Sequence, residues 1–178
     1  GAPAVELYEA LGLARWPDLP GTLSEARQLG QAVPGADVLT GSQVTEQAVK
    51  RMSADGSLAR YRALHFATHG VMVPGVPELS ALVLSEAGAR GAAEDGYLTM
   101  GEVSQLAIAA DFVGLSACET GLGRLYEGEG VAGLAQAFLL AGARGLAVSL
   151  WQVADDSTRA FMVDLYGLAR RKGLSWAR

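Results

Sequence analysis

A thiol at Cys118 and an imidazole at His69 are the two side chains of this sequence best suited to nucleophilic chemistry. A cysteine attacks a carbonyl carbon as its thiolate, and a neighbouring imidazole stabilises that form and later protonates the departing group. The oxyanion that develops on the carbonyl needs preorganised donors, for which we expect the backbone N–H groups of Gly70 and Cys118. This combination predicts acyl transfer through a Cys–His pair.

Each of these residues, considered by itself, is more often structural than catalytic. A single cysteine after an apolar strand is usually a small buried residue, and a histidine at a strand end usually packs in a core. The structural interpretation weakens because both residues follow predicted strands of one sheet. His65 lies four residues before His69 on the same strand face, so a metal site with Cys118 is an alternative. We expect instead that His65 packs in the core and steadies the site, with no metal and no cofactor.

Apolar runs with strand character precede both candidate residues. The predicted strands are Ala36–Leu39, Tyr61–Thr68, Ser80–Ser85, Asp111–Ser116 and Gly145–Trp151. The predicted helices begin near Leu23, at Val44, near Thr99, at Val131 and at Asp155, and the first and third follow apparent capping boxes, Thr22–Glu25 and Thr99–Glu102. Helices that alternate with buried strands predict an α/β fold with a mostly parallel sheet. The carboxyl ends of such strands share one edge, where ligand crevices form.

Three acidic residues lie near the same predicted edge. Glu119 directly follows Cys118, and Asp155 and Asp156 follow the strand that ends at Trp151. We expect one of these carboxylates to line a substrate pocket and to favour a basic residue before the cleaved bond. The alternative is a local role, in which Asp155 or Asp156 caps the last helix and Glu119 hydrogen-bonds its own loop.

The composition limits the class of protein. With 178 residues, half of them hydrophobic, the chain is long enough for one domain with a sizeable core. A net charge of −5 argues against direct nucleic-acid binding, which needs clustered cations. A single cysteine fits a reducing compartment, and we find no apolar run typical of a membrane span, so we expect a cytoplasmic protein. We expect residues 1–18 to be a linker or tag remnant and 19–178 a domain cut short at both ends.

Several motifs of the sequence resemble the CHAT family of caspase-like peptidase domains, which are often fused to helical TPR repeats. The matching stretches, in chain order, are Leu19–Thr22 with Glu25, Leu64–Gly70 (LHFATHG), Leu82–Ser85, Asp95–Thr99, Leu115–Gly121 (LSACETG), Gly128–Gly130 with Ala137 and Phe138, Ala141–Arg144, and Ser149–Trp151 with Val153, Asp155 and Thr158. The order and spacing of these stretches, including the 49 residues from His69 to Cys118 (118 − 69), make the resemblance specific.

The resemblance implies a caspase-like three-layer α/β sandwich and a cysteine endopeptidase that cleaves protein substrates with His69 and Cys118. It also implies regulation by a fused or associated TPR or sensor domain, in bacterial signalling or defence. One alternative is an inactive adaptor that keeps this fold and acts through protein–protein contact. A flavodoxin-like small-molecule binder is a further alternative, but no phosphate-binding glycine loop follows an early strand of the sequence.

Overall fold

Five strands form one mixed sheet in the described part of the chain. The computed structural model describes residues 2–13, 15–73, 76–86, 94–119, 127–148 and 155–171, and the side chains of 6–13, 15–73, 76–86, 94–116, 132–148 and 160–168. The strands are β1 (Ala63–Val71), β2 (Ala81–Val83), β3 (Tyr97–Thr99), β4 (Phe112–Glu119) and β5 (Leu146–Val148), arranged in the order β3-β2-β1-β4-β5.

The sheet has a parallel core and an antiparallel edge. Strand β4 pairs in parallel with β1 on one side and with β5 on the other, whereas β2 and β3 continue the sheet beyond β1 as antiparallel strands. The prediction of an α/β fold is confirmed, and the parallel part of the predicted sheet corresponds to β1, β4 and β5. The sequence pattern does not predict strand β3 at the antiparallel edge. This strand has only three residues and follows a glycine-rich stretch that has little strand character.

Helices pack on both faces of the sheet. On one face, α2 (Pro20–Ala32) and α6 (Asp155–Arg171) form a cluster that contains Leu29, Phe112 and Tyr166. On the other face lies the largest core, to which α3 (Glu46–Ala54), α4 (Met100–Val103) and α5 (Glu127–Leu140) contribute. Burying apolar side chains on both faces explains why the central strands consist mainly of apolar residues.

A helix and a segment without regular secondary structure precede α2 and pack against strands of the sheet. We call the described residues 2–13 and 15–18 the N-terminal arm; its helix is α1 (Ala2–Ala10). Tyr8 is fully buried against Val71 and Ala81, and its ring stacks on that of Tyr97 with centroids 4.0 Å apart. The arm is therefore packed against β1, β2 and β3. The expectation that residues 1–18 are a linker or tag remnant stays a prediction.

Most predicted elements are present, with shifted ends. The strands predicted to end at Thr68 and Ser116 each extend three residues further, to Val71 and Glu119, so that His69 lies inside β1 and Cys118 inside β4. The predicted strand Ala36–Leu39 is wrong, because these residues pair with no strand and Val38 instead packs on Gly30 of α2. Helix α5 ends before Gly142, as expected. The φ of Gly142 is +111°, which suits glycine, and the carbonyl oxygen of Ile108 occupies the space that a Cβ would need.

In the described part of the chain, no helix has both the length and the apolar character that a bilayer crossing requires.

Candidate active site

The two predicted catalytic residues lie on neighbouring parallel strands at the same height. The Cα of His69 in β1 is the register partner of the Cα of Cys118 in β4. Paired positions of adjacent strands lie on the same face of a sheet and about 4.8 Å apart. Among the described residues, the pairing of these strands ends one step later, at Gly70 and Glu119, so the pair sits at the carboxyl-end edge.

The ring of His69 is buried and held by the N-terminal arm. His69 is only 5 % exposed, and its Nε2 atom is 2.7 Å from the carbonyl oxygen of Pro17. The indole ring of Trp16 lies against the imidazole, with the ring centroids 5.1 Å apart and the planes inclined by 39°. The imidazole is thus fixed by one hydrogen bond and one ring contact.

The partner of Nε2 determines which nitrogen of His69 is free for proton transfer. A carbonyl oxygen only accepts hydrogen bonds, so Nε2 carries the hydrogen and donates it to Pro17. In the neutral ring Nδ1 then holds a lone pair, and this buried atom has no hydrogen-bond partner among the described residues. The arrangement leaves Nδ1 available as a base, which is the role that a Cys–His pair requires.

A buried carboxylate joins the two central strands on the face that carries His69. Glu25 of α2 is 3 % exposed, and its two oxygens lie 2.9 Å from Nε2 of His65 and 3.0 Å from the hydroxyl of Ser116. Ser116 precedes Cys118 by two positions, and His65 precedes His69 by four, so both occupy the same faces of their strands. Glu25 therefore holds β1 and β4 together directly below the candidate pair.

The second histidine, His65, is packed and hydrogen-bonded within this network. Nδ1 of His65 lies 3.3 Å from the hydroxyl of Tyr166, and the rings meet edge to face with centroids 5.7 Å apart. Burial, together with the negative charge of Glu25, raises the pKa of Tyr166, which keeps its hydroxyl protonated and able to donate. Within the described part of the chain, no group of three His, Cys, Asp or Glu side chains is arranged to hold a metal ion.

For the remaining predicted site residues, the structure gives the position of the backbone in its strand or helix. Gly70 is buried in β1 and pairs with Leu82 of β2 on one side and with Glu119 of β4 on the other. Glu119 is the last residue of β4, and Asp155 begins α6 with Asp156 next to it. The side chains of Cys118, Glu119, Asp155 and Asp156 lie outside the described ones, so the acidic pocket stays a prediction.

Four residues of the site were not predicted from the sequence. Pro17 and Trp16 lie in a segment with weak periodicity, and the spacing of Thr22 and Glu25 predicts a helix cap that Glu25 does not form. Ser116 is an ordinary strand residue in the pattern. One signal in the sequence pointed to this network, because Ser116 and His65 are polar residues within mainly apolar strands. A polar side chain buried in a sheet needs a hydrogen-bond partner.

A family model of the CHAT domain matches residues 3–177 of the 178-residue chain. No curated protein matches the chain. The matched range includes all five described strands, the N-terminal arm from residue 3 and both candidate catalytic residues.

Proposed function

Because the chain belongs to the CHAT domain family, a family of caspase-like peptidases, we propose that it is a cysteine endopeptidase that cleaves protein substrates. Cys118 is the nucleophile and His69 its base. In the same proposal the two helical layers and the central sheet form a caspase-like three-layer sandwich.

One observation carries the proposal, namely the register that pairs His69 with Cys118 at the end of two parallel strands. A spacing of about 4.8 Å between neighbouring strands is short enough for an imidazole and a thiol on one face to meet. Nδ1 of His69, which has no hydrogen-bond partner in the part of the chain that the structure describes, adds to this support, because Pro17 already orients the ring. The inactive adaptor needs neither a free imidazole nitrogen nor this register.

The reaction follows from these positions. Nδ1 of His69 takes the proton of the Cys118 thiol, and the thiolate attacks the carbonyl carbon of the scissile peptide bond. The tetrahedral intermediate collapses, the C–N bond breaks, and His69 returns its proton to the departing amine. Water then attacks the thioester with His69 as base, which releases the acid product and restores the thiol.

The oxyanion of the intermediate requires two N–H donors, for which we propose the backbone groups of Gly70 and Cys118. Gly70 follows the base directly and has no side chain that would obstruct the approach of a peptide. The last described pairs of β1 and β4 are at Gly70 and Glu119, so these backbone groups lie where the ladder ends.

The test is cleavage of a peptide library or a protein substrate by the purified chain. Cys118→Ala, Cys118→Ser and His69→Ala are each expected to lower kcat/KM by at least about 1,000-fold with unchanged circular dichroism. His65→Gln is the matched control, since the chain has two histidines and Nε2 of this one is bonded to Glu25. This control should lose stability but keep the shape of the pH–rate profile.

Two results would remove the proposal in favour of the adaptor. The first is retained cleavage in Cys118→Ala or His69→Ala. The second is failure of a thiol-directed reagent to modify Cys118 near neutral pH, since a Cys–His pair populates the thiolate there. The chain has one cysteine, so the label reports on Cys118 alone.

We further propose that Glu119, Asp155 or Asp156 favours a basic residue on the amino side of the cleaved bond. Carboxylates at the mouth of the site would pair with a lysine or arginine of the substrate. Library cleavage should show this preference, and Glu119→Gln, Asp155→Asn or Asp156→Asn should weaken it without slowing cleavage after other residues. A preference for apolar or acidic residues would contradict the proposal.

The biological setting is proposed from the family alone. A fused or associated TPR or sensor domain would regulate the peptidase, in the cytoplasm of a bacterium and in signalling or defence. We propose no direct nucleic-acid binding, because the net charge of −5 repels phosphates. Measuring cleavage with and without the neighbouring domain of the natural protein tests the regulation, and equal rates would contradict it.

A further inference from the structure

The N-terminal arm reaches His69 with two groups of different chemistry. The carbonyl of Pro17 fixes the position of Nε2, while the ring of Trp16 contacts the imidazole at a centroid distance of 5.1 Å. Backbone and side chain of consecutive residues thus act on one ring. The orientation of His69 therefore depends on where residues 16 and 17 are held.

Residue 16 is held by a side chain from the antiparallel edge of the sheet. Nε1 of Trp16 donates a hydrogen bond of 3.1 Å to the hydroxyl of Tyr97 in β3. The same hydroxyl donates its own hydrogen to the carbonyl oxygen of Leu13. One buried phenol therefore binds the arm at two points on either side of residue 14.

The phenol of Tyr97 is itself rigidly placed. Tyr97 is 3 % exposed, and its ring is stacked at 17° on the ring of Tyr8 in α1. Burial raises the pKa of Tyr97, although the hydrogen bond from Trp16 lowers it, so the hydroxyl keeps its hydrogen at physiological pH. The hydrogen-bond direction from Trp16 through Tyr97 to Leu13 is thereby fixed.

We propose that Trp16 and Tyr97 are positioning residues for the catalytic base, with Tyr97 holding Trp16 against the imidazole of His69. The inference rests on the proposed function. Trp16 has a second effect beyond orientation, because the face of an indole attracts a cation within about 6 Å. The imidazolium that forms when Cys118 gives up its proton would lie within this distance of the Trp16 ring.

The consequence is measurable at the single cysteine of the chain. Loosening His69 reduces the thiolate fraction of Cys118 at neutral pH, and alkylation by iodoacetamide reports that fraction directly. The pH at which the alkylation rate is half-maximal should move upward, towards the value of an ordinary thiol near 8.5. A residue that only stabilises the fold would lower the melting temperature and leave this pH profile unchanged.

The experiment records alkylation of Cys118 against pH in the full chain and four variants. Trp16→Phe keeps an aromatic ring but removes Nε1, Tyr97→Phe removes the hydroxyl, and Trp16→Leu removes the ring. Each of the first two should lower the rate at pH 7 by about 3- to 10-fold, and Trp16→Leu by more. The double variant Trp16→Phe/Tyr97→Phe should lower the rate by less than the product of the two single effects, because both changes break the same hydrogen bond.

Two further variants separate the possible failures. Tyr61→Phe is the matched control, since its hydroxyl bonds Asp37 before β1 begins and should leave the profile unchanged. If His69→Ala moves the profile but Trp16→Phe does not, in protein with normal circular dichroism, the positioning role is overturned and the peptidase proposal stands. If His69→Ala itself leaves the profile unchanged, the proposed function fails.

Discussion

The carboxylate of Glu25 accepts a hydrogen bond of 3.0 Å from the hydroxyl of Ser116, although 91 residues separate them in the chain. Its other oxygen bonds His65 on the neighbouring strand. A charge that is removed from water in this way is stable only when its partners are in place. The network therefore links the formation of α2 to the alignment of β1 and β4 below the candidate pair.

The first prediction concerns this buried carboxylate. Glu25→Gln keeps the volume of the side chain but loses the charge, so it weakens the bonds to His65 and Ser116. We expect a loss of about 1 to 3 kcal/mol in the free energy of unfolding, measured by urea denaturation, and a larger loss for Glu25→Ala. Glu6→Gln, at an exposed position of α1, is the control and should change stability little. Equal stability of Glu25→Gln and the parent chain would show that the network contributes nothing.

The second prediction concerns the opposite ends of the strands, where Asp111 precedes β4. Its carboxylate accepts a 2.9 Å hydrogen bond from Nε of Arg62, before β1, and one of 3.1 Å from Arg144, before β5. The hydrogen bond from Arg62, followed by the charges of both arginines, lowers the pKa of Asp111. Because folding lowers the pKa of Asp111, its ionised carboxylate stabilises the folded chain at pH values above the ordinary aspartate pKa, near 3.9. This stabilisation is lost as the pH falls through the pKa of Asp111 in the folded chain.

Asp111→Asn should therefore lower the melting temperature at pH 7, and the difference from the parent chain should shrink as the pH falls below about 4. Thermal melts followed by circular dichroism at pH 7, 4 and 3 provide the measurement. Asp164→Asn, exposed on α6, is the control. A difference that is constant across this range would mean that the charge of Asp111 plays no part. Cleavage should be unaffected, because these residues lie at the far end of the parallel strands.

Two sequence patterns that look alike have different outcomes in the structure. Thr99 and Glu102 form the predicted capping box of α4, with reciprocal bonds of 2.9 Å and 3.3 Å between side chains and backbone. Thr22 and Glu25 have the same spacing, but α2 begins at Pro20 and has no side-chain cap. The carboxylate of Glu25 instead enters the site, where two buried polar partners outweigh one bond to an exposed helix end. Local spacing predicts a cap only where no distant partner competes.

The positions of His69 and Cys118 on one sheet edge were predictable because each follows an apolar run of strand length. The groups that orient His69 were not, because Pro17 lies 52 residues from it in the chain, Trp16 directly precedes Pro17, and only folding brings them to the imidazole. Nothing in the local pattern of residues 11–18 indicates packing. The contact with Tyr97 depends on β3, a three-residue strand whose existence follows from pairing with β2 and not from its own propensity.

The last prediction concerns Gly114, the register partner of His65 on β4. A Cβ at this position would lie 2.6 Å from Nδ1 of His65 and 2.9 Å from the hydroxyl of Tyr166. Both side chains are packed and hydrogen-bonded, so neither moves aside without cost, and Gly114→Ala should destabilise the chain by about 1 to 3 kcal/mol. Gly101→Ala is the matched control, because the nearest atom to a Cβ there is 3.9 Å away and alanine favours a helix. Urea denaturation of the two variants should therefore give opposite or clearly unequal shifts. Equal stability of both would mean that His65 and Tyr166 readily repack, and the close fit under the candidate pair would then not constrain the two strands.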